Sequence, residues 1–315
     1  MKKRALGKSG IDVAPLAFGG NVFGWTVDEA TSFLLLDTFT ERGFSLVDTA
    51  DTYSKWAQGH KGGESEAIIG NWLAQGGNRR GRVVIATKCG MEMPGIGKGL
   101  SKKHILRSAE DSLKRLRTDR IDLYQAHEED TATPIDETLE AYAQLVREGK
   151  VRAIGASNYS AAGLAAALDK SERSSLPRYE SLQPRYNLYS REFEKELQPL
   201  CAARAVGAIP YFPLAAGFLT GKYRTEADLA QSARGAGVKR YMDERGMRIL
   251  GALDEVAKSL HAKPAQVALA WVMSRPTVTA PIASATSLAQ LRELLAAAEL
   301  KLDEAALGRL DSASA

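Results

Sequence analysis

Residues 82–88 are RVVIATK and residues 121–127 are IDLYQAH, and the stretch between them has the spacing of a helix. Both runs are apolar and contain β-branched or aromatic residues, as strands buried on both faces do. Between them, Ser101 is a suitable N-cap for a helix that ends at Leu116, with apolar side chains at helical spacing. This order predicts two parallel strands joined by a crossover helix.

The same alternation extends along the chain in both directions. It predicts strands at residues 14–19, 44–48, 82–88, 121–127, 151–157, 179–183, 208–210 and 278–282, and helices at residues 64–74, 101–116, 134–146 and 161–168. About eight β units, most of them followed by a helix, indicate a parallel sheet covered by helices. A (β/α)8 TIM barrel needs about 250 residues or more, and this chain has 315.

A doubly wound sheet is the alternative architecture. It usually has a glycine-rich turn that opens a helix, and Gly19–Gly24 matches that turn only in part. We therefore predict an α/β barrel that forms a single domain over residues 1–315, because neither a linker nor a repeat divides the chain. Residues 4–13 predict an N-terminal β-hairpin that closes the barrel floor. Segment 220–240 has the longest irregular pattern, which is typical of a lid.

The composition is that of an ordinary globular protein. Hydrophobic residues make up 44% and charged residues 25%, and the formal net charge of +4 is spread along the chain, which argues against nucleic-acid binding. No apolar run approaches the roughly 20 residues of a membrane helix. The basic N-terminus lacks an apolar signal core, so we expect a cytoplasmic protein. The four histidines and two cysteines show no metal-ligand spacing.

Four polar side chains lie at or just beyond predicted strand ends: Asp48, Tyr53, Lys88 and His127. We expect them to converge, because active sites of such barrels lie at the carboxyl ends of the strands. A nearby Lys88 would lower the pKa of Tyr53, ordinarily about 10, and Asp48 would balance the lysine charge. His127 can orient a carbonyl oxygen by a hydrogen bond. The set predicts proton donation to a carbonyl oxygen while a nucleophile attacks the carbon.

Structural interpretations of the same residues are also open. Asp48 and Lys88 can form an internal ion pair without function, and Ser157 with Asn158 can cap the helix that follows. Cys89 can be a redox-active thiol, although an inert buried thiol is favoured.

Three motifs, VDTADTY at 47–53, DLYQAH at 122–127 and GASN at 155–158, together with the strand-end Lys88, resemble the aldo-keto reductases. The resemblance covers nearly the whole chain and is strongest to the branch of bacterial reductases and potassium-channel β subunits. It implies a (β/α)8 barrel that transfers hydride between a nicotinamide dinucleotide and a carbonyl. The catalytic tetrad of the family corresponds to Asp48, Tyr53, Lys88 and His127.

The resemblance also implies a site for NADPH or NADP+. Ser157, Asn158 and Gln183 match the residues that hold the nicotinamide carboxamide, and Tyr211 matches the aromatic residue that stacks on the ring. The full set of implied cofactor residues is Gly20, Asn21, Asp48, Ser157, Asn158, Gln183, Tyr211, Phe212, Pro213, Leu214, Lys222, Arg234, Ser284, Thr286, Gln290 and Glu293.

Within this set the resemblance assigns parts of the cofactor to particular residues. The backbone of 212–214 would hold the pyrophosphate, Lys222 and Arg234 would contact phosphate, and Gln290 and Glu293 would contact adenine. Lys222 and Arg234 also have a simpler interpretation as solvated surface charges.

Two departures from the family concern cofactor and substrate. Thr286 stands where many relatives have an arginine, and Asn21 stands where an aromatic residue often lines the substrate pocket. The implied substrate pocket consists of Asn21, Trp25, Tyr53, Trp56 and His127. Two interpretations of the tryptophans are open. As pocket walls they suit a bulky apolar carbonyl compound, and as core residues they only contribute to packing.

These observations predict an NADPH-dependent reductase of small-molecule aldehydes or ketones, with neither a nucleic acid nor a membrane as partner. A cofactor-binding regulatory subunit is the alternative outside catalysis, but no docking extension is seen before the hairpin. An alcohol dehydrogenase that works in the oxidative direction is the alternative within catalysis. The sequence does not decide between a monomer and a homo-oligomer.

Overall fold

The computed structural model describes residues 2–232 and 235–315, and these contain ten strands. The strands are β1 (Arg4–Ala5), β2 (Asp12–Val13), β3 (Ala17–Gly19), β4 (Leu46–Asp48), β5 (Val84–Cys89), β6 (Ile121–Ala126), β7 (Val151–Ser157), β8 (Tyr179–Gln183), β9 (Gly207–Ala208) and β10 (Ile282–Ala283). Strands β3 to β10 form one sheet of eight strands, in which all paired neighbours are parallel.

The sheet closes on itself. Strand β10 pairs with β3 at one edge, and the segment that leads into β10 bonds to β9 at the other edge. There the backbone N–H of Thr279 donates to the carbonyl of Ala208 at 2.7 Å, and that of Ile282 donates to Pro210 at 2.8 Å. The predicted (β/α)8 barrel is therefore confirmed.

Helices cover the outside of the sheet. In the described residues they are α1 (Glu29–Glu41), α2 (Glu64–Ala74), α3 (Arg79–Arg82), α4 (Lys102–Leu116), α5 (Ile135–Arg147), α6 (Ala161–Ser174), α7 (Leu197–Arg204), α8 (Gly235–Val238), α9 (Glu244–Ser259), α10 (Pro264–Met273), α11 (Leu288–Ala296) and α12 (Glu304–Ser314). In α4 the cap is the predicted one, since the Ser101 side chain accepts from the N–H of His104. None of the helices in the described ranges has the length and apolar character that a membrane span requires.

The hairpin of β1 and β2 covers the amino ends of the barrel strands, as predicted. Its buried side chains Leu6 and Val13 belong to one apolar cluster with Ala17 and Leu46, which begin β3 and β4. The turn requires glycine at Gly7, where φ is +58° and a Cβ atom would lie 2.2 Å from a backbone oxygen. The opposite end of the barrel is left open.

Several boundaries differ from the sequence prediction. Strand β3 begins at Ala17 rather than at residue 14, and Arg82 ends the short helix α3 instead of beginning β5. Pro134 is the N-cap of α5, not its first helical residue. Helix bounds were not predicted for several elements, among them α1, α7, α9, α10 and α12. For α1, the N-cap Asp28 was a usable signal. The irregular segment 220–240 contains short helical turns in its described part.

Candidate active site

The phenol of Tyr53, the ammonium of Lys88 and the carboxylate of Asp48 form one hydrogen-bonded cluster. Lys88 Nζ donates to Asp48 Oδ2 at 2.7 Å and to Tyr53 Oη at 2.9 Å. Tyr53 Oη lies 3.2 Å from Asp48 Oδ2. Asp48 ends β4, Lys88 is the last but one residue of β5, and His127 follows β6, so adjacent strands bring the four predicted residues together.

Two buried amides and a backbone carbonyl hold the charged pair in place. Gln183 Nε2 donates to Asp48 Oδ1 at 2.9 Å, and Gln125 Nε2 donates to the same oxygen at 3.4 Å. The carbonyl of Thr49 accepts a 2.7 Å hydrogen bond from Lys88 Nζ. Sequence analysis did not single out Gln125, although it lies two positions before His127 and strand alternation places both on the same face.

Burial dominates the electrostatics of the cluster. Burial and then the charge of Asp48 raise the pKa of Tyr53 well above its ordinary value of 10.0. Burial also lowers the pKa of Lys88, which Asp48 opposes. The direction is opposite to the expected lowering of the phenol pKa, because burial and the carboxylate of Asp48 both disfavour the phenolate. The phenol stays protonated near neutral pH and is available as a proton donor.

His127 lies beside the phenol as a neutral imidazole. Its ring centroid is 6.0 Å from that of Tyr53, in an edge-to-face arrangement. Burial, and then the charges of Lys88 and Lys55, lower the pKa of His127 well below 6.5. A neutral imidazole carries one N–H, which is sufficient to donate a single hydrogen bond to a carbonyl oxygen.

The cluster forms one wall of a cavity of about 880 Å³ at the open end of the barrel. The predicted site residues that line it are Asn21, Asp48, Tyr53, Trp56, His127, Ser157, Asn158, Gln183, Tyr211, Phe212, Pro213, Leu214, Lys222, Ser284, Thr286, Gln290 and Glu293. Further lining residues that sequence analysis did not assign to the site include Val22, Thr26, Met91, Gly217 and Lys263.

Four predicted residues are not among the described residues that line the cavity. Lys88 is fully buried and contacts the lining residues Asp48 and Tyr53. Gly20 does not line the cavity among the described residues, and its carbonyl accepts a hydrogen bond from Ser65. Trp25 is also absent from the lining, and its ring packs edge-on against Trp56 with centroids 5.8 Å apart. Arg234 lies outside the described residues.

A chain of hydrogen bonds joins the tetrad to the predicted carboxamide-binding residues. Asn158 Nδ2 donates to the carbonyl of His127 at 2.9 Å, and Tyr211 Oη donates to Asn158 Oδ1 at 2.8 Å. Ser157 Oγ donates to the carbonyl of Gln183 at 3.0 Å. Neither Ser157 nor Asn158 caps α6, since Ser160 does so. The capping interpretation of Ser157 and Asn158 is therefore wrong.

The next part of the cavity wall has an unusual backbone. Leu214 has φ −104° and ψ 17°, and Ala215, Ala216 and Gly217 follow with φ of 47°, 58° and 101°. The N–H groups of Ala215 and Gly217 donate within this turn, to the carbonyls of Phe212 and Leu214 at 2.9 Å, so they do not form a free anion-binding concavity. Left-handed backbone at two alanines is costly, and such strain is concentrated at functional sites.

The outer part of the cavity is polar and charged. Ser284 Oγ donates to Asn21 Oδ1 at 2.6 Å, which joins the segments that follow β10 and β3. Thr286 donates to Gln290 Oε1 through both its backbone N–H, at 2.9 Å, and its hydroxyl, at 3.0 Å. Lys222 Nζ lies over a tyrosine ring, 4.9 Å from its centroid. This wall offers cations, hydroxyls and amides to a ligand.

A second buried carboxylate, Asp51, lies behind the tetrad. Its backbone N–H donates to the carbonyl of Lys88, and its Oδ1 has no hydrogen-bond partner in the described structure. Burial and then the charge of Glu66 raise the pKa of Asp51 to about 8. Glu66 itself accepts from Arg115 Nε at 2.7 Å. Asp51 is therefore largely protonated at neutral pH in the folded protein.

The sequence left open one alternative that concerns a thiol. Cys89 is fully buried, and burial raises the pKa of its thiol far above the ordinary value, which is the opposite of what a reactive cysteine needs. The described part of the chain contains no group of histidine, cysteine, aspartate or glutamate side chains that could hold a metal ion.

Comparison with known proteins agrees with this geometry. Residues 15–315 match the aldo/keto reductase family. The chain is 38% identical to the "Uncharacterized oxidoreductase YrpG" of Bacillus subtilis, over 99% of this chain and 95% of that protein. It is 31% identical to "Protein tas" of Escherichia coli, over 99% and 97% of the two chains. It is 33% identical to the "Probable voltage-gated potassium channel subunit beta" of Arabidopsis thaliana, over 95% and 92%.

Proposed function

The chain belongs to the aldo/keto reductase family, and on that premise we propose that it is an NADPH-dependent reductase of aldehydes or ketones. The observation that carries the proposal is the contact of 2.9 Å between Lys88 Nζ and Tyr53 Oη at the wall of a large cavity. A phenol that is protonated near neutral pH and lies next to a buried ammonium is suited to give its proton to a carbonyl oxygen.

Each member of the tetrad has a distinct role in this proposal. Tyr53 donates its proton to the substrate oxygen, and Lys88 stabilises the phenolate that remains until solvent returns a proton. Asp48, 2.7 Å from Lys88 Nζ, favours the charged form of the lysine. His127 donates the hydrogen bond that orients the substrate oxygen beside the phenol. These roles fit the observed positions, and the reaction consumes one proton for each carbonyl reduced.

The cavity suits a nicotinamide dinucleotide. The amide nitrogens of Asn158 and Gln183 already donate within the protein, which leaves their oxygens next to the tetrad to accept from the N–H groups of a carboxamide. Tyr211 offers an aromatic face. The segment 212–214 and the ammonium of Lys222 line the same cavity, which supports a pyrophosphate-binding role for them. The cofactor, when bound, supplies the hydride that reaches the carbonyl carbon. The protein's own contribution is to hold both reactants at one wall and to provide the proton.

The substrate side of the cavity is mainly apolar. Val22, Met91 and the ring of Trp56 line it, and the edge-on contact with Trp25 supports Trp56 from behind. Apolar walls with few polar groups are typical of small-molecule sites, in which the polar groups set the orientation. We propose a carbonyl compound with an apolar substituent as the substrate.

The direct test is oxidation of NADPH in the presence of a panel of aldehydes and ketones. We expect multiple turnovers with at least one apolar aldehyde, and a large loss of turnover in Tyr53→Phe. Measurement of alcohol oxidation with NADP+ under matched conditions then compares the two directions. No turnover with any carbonyl, despite cofactor binding, would refute the proposal.

That last outcome would favour a cofactor-binding regulatory subunit, which one relative's printed name supports. The tetrad with its ordered hydrogen bonds favours catalysis.

A cytoplasmic location remains part of the proposal, and it is supported by the free thiols of Cys89 and Cys201, both of which are buried.

A further inference from the structure

Lys263 brings a positive charge to the outer part of the cavity. It lines the cavity and is the N-cap residue of α10, and its side chain is 66% exposed. Its Nζ forms an ion pair with Glu293 Oε2 at 2.5 Å. The tetrad lies on β4 to β6 and their following loops, whereas Lys263 and Glu293 belong to the outer helices α10 and α11.

Hydrogen bonds fix the distance between the two helices here. The backbone N–H of Lys263 donates to Gln266 Oε1 at 2.9 Å, and Gln266 Nε2 donates to the carbonyl of Glu293 at 3.1 Å. Gln266 therefore positions the start of α10 against the body of α11. The Lys263 side chain is long enough to change partner, but its point of attachment is set by this contact.

Other lining groups near the start of α11 are donors without a charge. Thr286 and Gln290 line the cavity, and Ser287 caps α11. The N-termini of α10 and α11 both lie at this wall, and the partial positive charge of a helix N-terminus favours anions. The hydroxyl and amide groups and the N–H groups of the helix ends can donate hydrogen bonds to a phosphate. At the starts of α10 and α11, Lys263 is the residue that adds a full positive charge.

Lys263 can leave its present partner at little cost. Ion pairs of exposed side chains contribute little, and the Lys263 side chain is 66% exposed, whereas that of Glu293 is 26% exposed. A phosphate monoester carries close to two negative charges near neutral pH and has three acceptor oxygens. It therefore competes with the single carboxylate of Glu293 for the ammonium.

We infer that Lys263 is a specificity-determining residue, which binds the 2′-phosphate of NADPH. It takes the role of the arginine that many relatives have at the position of Thr286. This inference rests on the proposed function, because the nicotinamide must lie at Tyr53 for the adenosine half to reach α10 and α11. Thr286 and Gln290 add uncharged hydrogen bonds to the same phosphate. Lys263 then distinguishes NADPH from NADH, and the lysine moves from Glu293 to the phosphate on binding.

The test measures dissociation constants for NADPH and NADH by fluorescence titration in the wild type, Lys263→Gln and Lys263→Arg. Lys258→Gln, at an exposed lysine of α9, is the matched control. We expect the wild type to favour NADPH at least about tenfold, since hydrogen bonds to charged groups are the strong ones. Lys263→Gln should weaken NADPH binding by about tenfold or more and change NADH binding less than about twofold. Lys263→Arg should restore most of the preference.

A second readout uses adenosine 2′-monophosphate and adenosine 5′-monophosphate as competitors of NADPH. The 2′ isomer should compete better with the wild type, and this advantage should disappear in Lys263→Gln. An NADPH preference that persists unchanged in Lys263→Gln overturns the inference and leaves the proposed function intact. Equal wild-type affinity for both dinucleotides overturns the inference and the choice of NADPH. A wild type that binds neither dinucleotide overturns the proposed function as well.

Discussion

Gln183 Nε2 donates a hydrogen bond of 2.9 Å to Asp48 Oδ1, between residues 135 positions apart in the chain. A residue of the predicted cofactor site is thereby hydrogen-bonded to the carboxylate that pairs with Lys88. The bond also orients the Gln183 amide, because the nitrogen must face the carboxylate. The predicted cofactor site and the charge balance of the tetrad are therefore connected through the buried side chain of Gln183.

Gln183→Ala should weaken both properties. We expect a loss of about 1–3 kcal/mol in the free energy of unfolding, since two buried hydrogen bonds of about 0.5–1.5 kcal/mol each are removed, and weaker NADPH binding. Urea unfolding and fluorescence titration measure the two effects. Gln75→Ala, at the exposed glutamine that follows α2, is the matched control and should change neither. Wild-type NADPH affinity in Gln183→Ala would exclude it from the cofactor site.

Tyr53→Phe should keep the fold and the cofactor affinity but lose most of its turnover. The ring remains while the proton donor is removed, and a positioned acid typically contributes about 10²–10⁴-fold. Steady-state kinetics give kcat, and titration with NADPH gives the affinity. Wild-type kcat in this variant would exclude Tyr53 as the proton donor.

Lys88→Met should lose activity and also destabilise the fold. The Asp48 carboxylate would remain buried without its cation, which costs roughly 3–5 kcal/mol. The double variant Asp48→Asn with Lys88→Met removes both charges and should recover a large part of that stability without recovering activity. Unfolding curves for both variants test this. An unchanged unfolding free energy in Lys88→Met would contradict the buried ion pair.

The free energy of unfolding of Asp51→Asn should increase relative to that of the wild type as the pH rises from about 5 to 8. The pKa of Asp51 is raised from 3.8 to about 8, so between these values the folded state holds a proton that the unfolded chain has lost. The stability contributed by this group is complete at low pH and is lost as the pH rises. The difference between variant and wild type should grow by at most about 1.4 kcal/mol per pH unit.

The measurement is urea unfolding of both proteins at several pH values in this range. Asp12→Asn, at an exposed aspartate of β2, is the control and should follow the wild type. A difference between Asp51→Asn and the wild type that does not change with pH would show that Asp51 ionises normally in the folded protein.

The rate of carbonyl reduction should show no inflection from His127 near pH 6.5. The pKa of His127 lies well below that value, so the imidazole is neutral throughout the neutral range. Deprotonation of the coupled Tyr53 and Lys88 pair should limit the rate only on the alkaline side. The test is the pH profile of kcat/KM. An inflection between about pH 6 and 7 that His127→Gln abolishes would contradict the neutral imidazole.

The sequence by itself determined the order of the strands, four of the helices and the positions of Asp48, Lys88 and His127 at strand ends. This is possible because these depend on local patterns: apolar runs and helical spacing indicate the elements, and parallel strands bring their carboxyl ends to one side. The motif resemblance added the family and the cofactor residues. Element ends were less predictable, since residues such as Arg82 and Pro134 fit either side of a boundary.

Only the tertiary structure decided how groups that are distant in the chain interact. The pKa of Tyr53 rises because of burial, and the amount of burial is not written in the neighbouring residues. The partnership of Lys263 with Glu293 spans two helices, and nothing near Lys263 in the sequence indicates a cavity. Distances and solvation depend on the closed barrel as a whole, so they follow from packing rather than from local sequence.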